Sequence, residues 1–69
     1  MQQIYAKIKR NSKYYLQNQY AKRDGEFPFP VKIQGLGAEY CVKGGPGGQY
    51  RLSDVNLFII DRDQEVRIR

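Results

Sequence analysis

Sixty-nine residues, 41% of them hydrophobic, 13% aromatic and 28% charged, make a single domain (residues 1–69) with a formal net charge of +5. A chain of this length buries only roughly 60% of the surface that its unfolded form exposes, so domains of this size lean on disulfides, a metal or a partner chain. Cys41 is the single cysteine and there is no histidine. This excludes an internal disulfide and the ordinary zinc sites, and it leaves a partner chain, such as a second copy in a homodimer, as the remaining reinforcement.

No apolar run approaches the roughly 18 residues needed to cross a bilayer, so no membrane partner is expected. One unpaired thiol behind no charged-then-apolar leader suits a reducing compartment, and no transit peptide, tag or lipidation motif is visible, so the chain is expected to be complete and cytoplasmic. The charge is unevenly spread. Residues 1–23 hold six bases (Lys7, Lys9, Arg10, Lys13, Lys22, Arg23) and no acid, whereas residues 24–69 hold six bases and seven acids. Such asymmetry marks a face that meets an anionic partner, either phosphate or an acidic protein surface, with a merely solvated face as the alternative.

In chain order, Ile4, Ala6 and Ile8 alternate with Tyr5, Lys7 and Lys9, which predicts a half-buried strand with a basic outer face. Arg10-Asn11-Ser12-Lys13 is turn-compatible. Tyr14–Tyr20 reads either as a strand or as a helix capped by Ser12 and ended by Gly25; three tyrosines in seven residues favour the strand. Phe27-Pro28-Phe29-Pro30 imposes an extended connection through which no helix can run. Val31 and Ile33 begin a strand that Gly35-Leu36-Gly37 turns into another, carrying Tyr40 and Val42. Gly44-Gly45-Pro46-Gly47-Gly48 makes a loop, and Tyr50 and Leu52 resume the alternation. Ser53-Asp54 can cap a helical turn over Val55-Asn56-Leu57. The run Leu57–Ile60 reads as the best-buried strand, and Val66 and Ile68 close the chain after a turn at Asp61–Gln64.

Five to six short strands with one helical turn predict an all-β or mostly β domain, a small antiparallel SH3-like barrel or a strongly bent sheet. The order of strand, long excursion, two hairpins, a one-turn helix and a terminal strand resembles the SH3-like architecture in general outline, and no motif ties the chain to a particular family.

Without histidine the commonest acid–base group is missing, and Cys41 has no base beside it in sequence, so no enzyme activity and no cofactor are expected. Asp61, Asp63 and Glu65 alternate as hard-cation ligands sometimes do, but a polar hairpin accounts for them. The glycine loop lacks the Gly-Lys-Ser/Thr ending of a phosphate-binding P-loop; Lys43 and Arg51 beside it are secondary contact candidates.

The strongest constellation interleaves bases with aromatics: Tyr5, Lys7, Lys9, Arg10, Lys13, Tyr15, Lys22 and Arg23. Lysine and arginine neutralise phosphates by counterion release, while exposed tyrosines offer stacking platforms for unpaired bases. Tyr14 and Tyr20 are expected in the core, Tyr5 and Tyr15 at the surface. The composition therefore points to a non-catalytic module that binds DNA or RNA through a basic, tyrosine-rich face. The alternative is a small inhibitor or adaptor, of the kind encoded by phages and mobile elements, that acts on a larger protein. An apolar patch around Phe27 and Phe29 would favour the second reading.

Overall fold

The structure is a computed structural model that describes residues 2–37 and 39–68. Six antiparallel strands form one sheet: β1 (Ile4–Ile8), β2 (Phe29–Leu36), β3 (Glu39–Lys43), β4 (Gln49–Arg51), β5 (Val55–Asp61) and β6 (Gln64–Arg67). Their order is β4-β3-β2-β1-β5-β6. The sheet is open, with β4 and β6 at its ends, so the bent-sheet form of the expected fold is the one adopted. β2 spans the bend: its first residues pair with β1 and its later ones, from Lys32, pair with β3.

Alternation sets the two faces. Ala6 and Ile8 on β1, Phe29 and Val31 on β2, Val42 on β3, Tyr50 on β4, and Val55 and Leu57 on β5 all point inward and are buried. Phe29, Val42 and Val55 are almost wholly enclosed, and a fully buried side chain of this class contributes about 1.5–3 kcal/mol. Tyr50 sits at the centre, edge-on to Tyr14 with centroids 5.9 Å apart and 5.7 Å from Phe29.

The Tyr14–Tyr20 segment is helical, not a strand: a 3₁₀ turn (Tyr15–Gln17) runs into α1 (Asn18–Arg23). Of the two expected end signals, Gly25 is realised, whereas the N-cap positions are Tyr14 and Gln17, neither of which makes a side-chain cap bond, and Ser12 instead closes the turn before them. The Ser12 hydroxyl accepts the Tyr14 N–H at 3.1 Å. Gly25, at φ +77°, ends the helix in a Schellman arrangement, with Glu26 N–H on Ala21 C=O and Gly25 N–H on Lys22 C=O. The decisive interaction is that of Asn18. β1 pairs with β2 only as far as Ala6↔Phe29, which leaves the Ile8 backbone with no strand beside it. The Asn18 amide fills that place, accepting Ile8 N–H through Oδ1 and donating Nδ2–H to Ile8 C=O, both at 3.0 Å. Asn18 and Ala21, three residues apart, form the inward side of α1.

Three other expectations shift. β2 starts at Phe29, not Val31, because Pro30 lies opposite Tyr5, whose backbone is directed to β5; the missing proline N–H costs no bond to β1. The one-turn helix lies at Leu52–Asp54, ahead of the expected position, and Val55 already belongs to β5. Burial along β5 falls off toward its end. Val55 and Leu57 are buried, Phe58 and Ile59 half-buried and Ile60 exposed, because beyond Phe58 only the exposed β6 hairpin pairs with the strand. That hairpin turns on Arg62 and Asp63 at φ +51° and +66°, the left-handed pair of a two-residue type I′ turn.

Candidate nucleic-acid interface

The outward residues follow from the register. Tyr5, Lys7 and Lys9 on β1 lie beside Pro30 on β2 and beside Asn56 and Phe58 on β5, which continue to Arg67 and Glu65 on β6. Past the bend, Lys32 and Gln34 stand opposite Lys43 and Cys41, and these stand opposite Gln49 and Arg51. One sheet face thus carries Lys7, Lys9, Lys32, Lys43, Arg51 and Arg67 against Glu39 and Glu65. Sequence reasoning missed Lys32, Phe58 and Arg67. Their alternation with Val31, Leu57 and Val66 put them on a strand exterior, but only the pairing places them next to Tyr5 and Lys43.

The predicted site residues divide into three groups. Tyr5, Lys7, Lys9 and Lys22 belong together: Lys7 Nζ lies over the rings of Phe27 (5.2 Å) and Phe58 (4.9 Å), and Lys22 Nζ lies over Phe27 at 4.8 Å. Each such contact is worth about 0.5–1 kcal/mol at an exposed site. Lys7 also pairs with Glu65 at 2.5 Å, so it is the most firmly held base and the least free to meet a ligand. Arg10, Lys13, Tyr15 and Arg23 project from the turn and helix. Lys13 covers Tyr14, and Arg23 covers Tyr20 while lying 3.9 Å from Asp24. Lys43 and Arg51, the third group, do not share one pocket: Arg51 and Lys13 line a cleft of about 500 Å³ between the Asn11–Tyr14 turn and the β4 edge, with Gln49, Ser53 and Asp54, while Lys43 stands between Lys32 and Gln49 on the sheet.

The tyrosines sort differently from expectation. Tyr20 is 50% exposed and Tyr15 40%, whereas Tyr5 and Tyr14 are half-buried. Tyr20 was expected inside on strand phase; the helix turns Asn18 and Ala21 inward and Tyr20 outward. Phe29 is buried and Phe27 is topped by two lysines, so no open phenylalanine patch exists at these residues.

The glycine loop is a filled structure. A Cβ on Gly45 would meet the Phe29 ring at 2.7 Å, and one on Gly47 would meet Gln17 Oε1 and Tyr50 Oη at 2.7 and 2.8 Å. Tyr50 Oη accepts the Gly47 N–H at 2.7 Å and donates to Gln17 Oε1 at 2.5 Å, tying loop to helix. Burial pushes the Tyr50 phenol above its ordinary pKa, and the Gly47 N–H opposes this to a smaller degree. Close packing thus accounts for these glycines without a bound phosphate.

Cys41 is buried and its thiol receives a 3.3 Å contact from the Gln49 amide. Among the described residues no group of three acidic, histidine or cysteine side chains is placed to hold a metal, and no helix is long and apolar enough to cross a membrane. Comparison of the chain with protein-family models, with curated proteins and with solved structures gave no match.

Proposed function

We propose that the protein is a non-catalytic module that binds nucleic acid, in the cytoplasm, across the outward face of its sheet. The observation that carries the reading is the state of the bases on that face. Among the described residues there are two ion pairs, Lys7–Glu65 and Arg23–Asp24. Lys9, Lys32, Lys43 and Arg51 enter neither. Lys32 and Lys43 stand directly opposite each other on adjacent strands, an arrangement that brings two ammonium stems within about 4.5–5.5 Å at Cβ and disfavours the free protein. A phosphate between them turns that repulsion into attraction, and release of condensed counterions supplies the driving force. The half-buried ring of Tyr5, opposite Pro30 on β2, gives an unpaired base an apolar floor between the lysines.

The test is fluorescence anisotropy of labelled single-stranded and duplex DNA and RNA over a salt series, with a Lys9→Ala/Lys32→Ala/Lys43→Ala variant alongside. With roughly five phosphate contacts, log K falls against log salt with a slope of about −4.5 on duplex, and the triple variant loses roughly three of those contacts and flattens the slope to about −2. Absence of binding by the wild type at low salt removes this reading.

One observation favours a protein partner instead. Leu16 is 69% exposed and Tyr20, with Arg23 over its ring, 50%, and at i,i+4 they lie along one side of the helical segment. If the chain is an inhibitor or adaptor, Leu16→Ser/Tyr20→Ser abolishes its effect on the target, while the triple lysine variant leaves that effect in place.

A further inference from the structure

The free edge of β6 has a pattern that fits one particular partner. Ile68 N–H donates to Leu57 C=O at 2.9 Å, which fixes the hydrogen-bonding phase of the β5–β6 ladder. Counting back along the strand by twos, Ile68, Val66 and Gln64 direct their backbone groups to β5, while Glu65 and Arg67 direct theirs away from the sheet. The β1–β5 ladder gives the same phase independently. Lys9 N–H bonds to Asp54 C=O at 2.8 Å, so Phe58 is directed to Tyr5 and not to its neighbour Arg67. Glu65 and Arg67 therefore present unpaired N–H and C=O groups outward, and among the described residues no strand covers them.

From this geometry we infer that the protein forms a two-fold symmetric homodimer by antiparallel pairing of β6 with β6 of a second copy, centred on Val66. In that register Val66 faces its own copy at a non-hydrogen-bonded position, and Glu65 of each chain falls opposite Arg67 of the other. The two chains exchange four backbone hydrogen bonds, and each carboxylate meets a guanidinium. Shifting the axis by one residue to either side sets Glu65 against Glu65 or Arg67 against Arg67, which like-charge repulsion disfavours. Only the Val66-centred register satisfies backbone phase and side-chain charge together. On the inner face, Val66, 43% exposed in one chain, meets Val66 of the copy, and Ile68, 50% exposed, falls opposite Gln64 of the copy and diagonal to its Val66.

Self-pairing closes on itself, whereas pairing of β6 with the other free edge, β4, would propagate into an open chain of subunits. The symmetry axis runs through the sheet, so both outward faces lie on the same side of one twelve-strand sheet. The dimer does not depend on what that face binds. Its contact is smaller than the roughly 1,200–2,000 Å² of standard stable interfaces, so dimer forms at high micromolar concentration and not at nanomolar concentration.

The experiment is sedimentation equilibrium of the whole chain from about 10 µM to 1 mM, together with hydrogen exchange of individual amides at both ends of that range. The wild type shows reversible dimer, and the Glu65 and Arg67 amides alone in β6 gain protection with concentration. Arg67→Glu sets glutamate against glutamate and raises the dimer dissociation constant by about tenfold or more. Glu65→Arg/Arg67→Glu restores complementarity and returns it toward the wild-type value. Because the double variant also loses the Lys7–Glu65 pair, its recovery cannot come from a better-folded monomer, and thermal melts of all three chains verify that each is folded. A wild type that stays monomeric at 1 mM overturns the inference. So does Arg67→Glu dimerising like the wild type, or concentration-dependent protection at β4 in place of β6.

Discussion

Asn18 does the work of a strand residue while belonging to a helix. Its carboxamide is the one side chain able to accept from Ile8 N–H and donate to Ile8 C=O at once, and it is 6% exposed. Asn18→Ala leaves two buried backbone groups unpaired, and urea denaturation should register a loss of about 2–4 kcal/mol. Tyr50 has a comparable role on the other side of α1. Its phenol holds the proton at pH values where the unfolded chain has released it. The stability that the neutral phenol contributes is thus complete below about pH 10 and is lost as pH rises from there through the raised folded value. Tyr50→Phe removes the Gly47 and Gln17 bonds, costing about 1–2 kcal/mol at neutral pH. The same substitution reduces the alkaline fall in melting temperature, and an unchanged alkaline limb would show that another group titrates there.

Strand existence was legible in the sequence because period-two alternation is a property of each segment alone, as in Ile4-Ala6-Ile8. The helix was legible only in its punctuation. Gly25 marked the end correctly and Ser12 only the turn that precedes the start, but the tyrosines between them argued for a strand, and β-propensity measures fit to a half-buried pleat. Tyr15 and Tyr20 turn outward and meet no pleat, so that signal carried no weight. What overrode it, the unpaired backbone at Ile8, exists only once β1 and β2 are paired and has no counterpart in the local sequence. The Arg62-Asp63 turn is the converse case: the hairpin was expected, while its chemistry is poor for a type I′ turn. Both residues sit at positive φ, where a side chain costs about 1–2 kcal/mol. Arg62→Asn/Asp63→Gly relieves that strain and should raise stability by about 1 kcal/mol or more in thermal or urea melts, with the rest of the fold unaltered.

For the molecule as a whole, the positive charge of the first third of the chain is divided: Lys7 and Lys9 join later bases on one face of the sheet, while Arg10, Lys13 and Arg23 stay on the turn and helix. Lys32 and Lys43 lay outside the basic N-terminal run, and their meeting depended on the β2–β3 register. Conversely Lys7, foremost in the sequence pattern, is occupied by Glu65 and two rings. Lys43→Glu sets stability and binding in opposition. Replacing a like-charged cross-strand pair by an opposite one stabilises the free protein by about 0.2–1 kcal/mol, while the salt slope for nucleic acid becomes shallower by about one or more. A variant that melts higher and binds less identifies Lys32 and Lys43 as residues placed for a ligand and not for the fold.

The Gly44–Gly48 tip has a consequence for how such a chain can diversify. Gly44, Gly45 and Gly47 face Pro30, Phe29 and the Gln17–Tyr50 pair so closely that any side chain there collides with the core. Exposed loops are ordinarily where variation accumulates, but here the exposed loop is as constrained as a buried strand. Randomising the whole surface and selecting for folded variants would leave those three positions glycine and place the accepted changes at Pro46 and at the exposed Arg10, Asn11, Lys13, Tyr15 and Leu16. The tip is thus a fixed landmark beside a variable arm, and new binding preferences would be acquired on the arm.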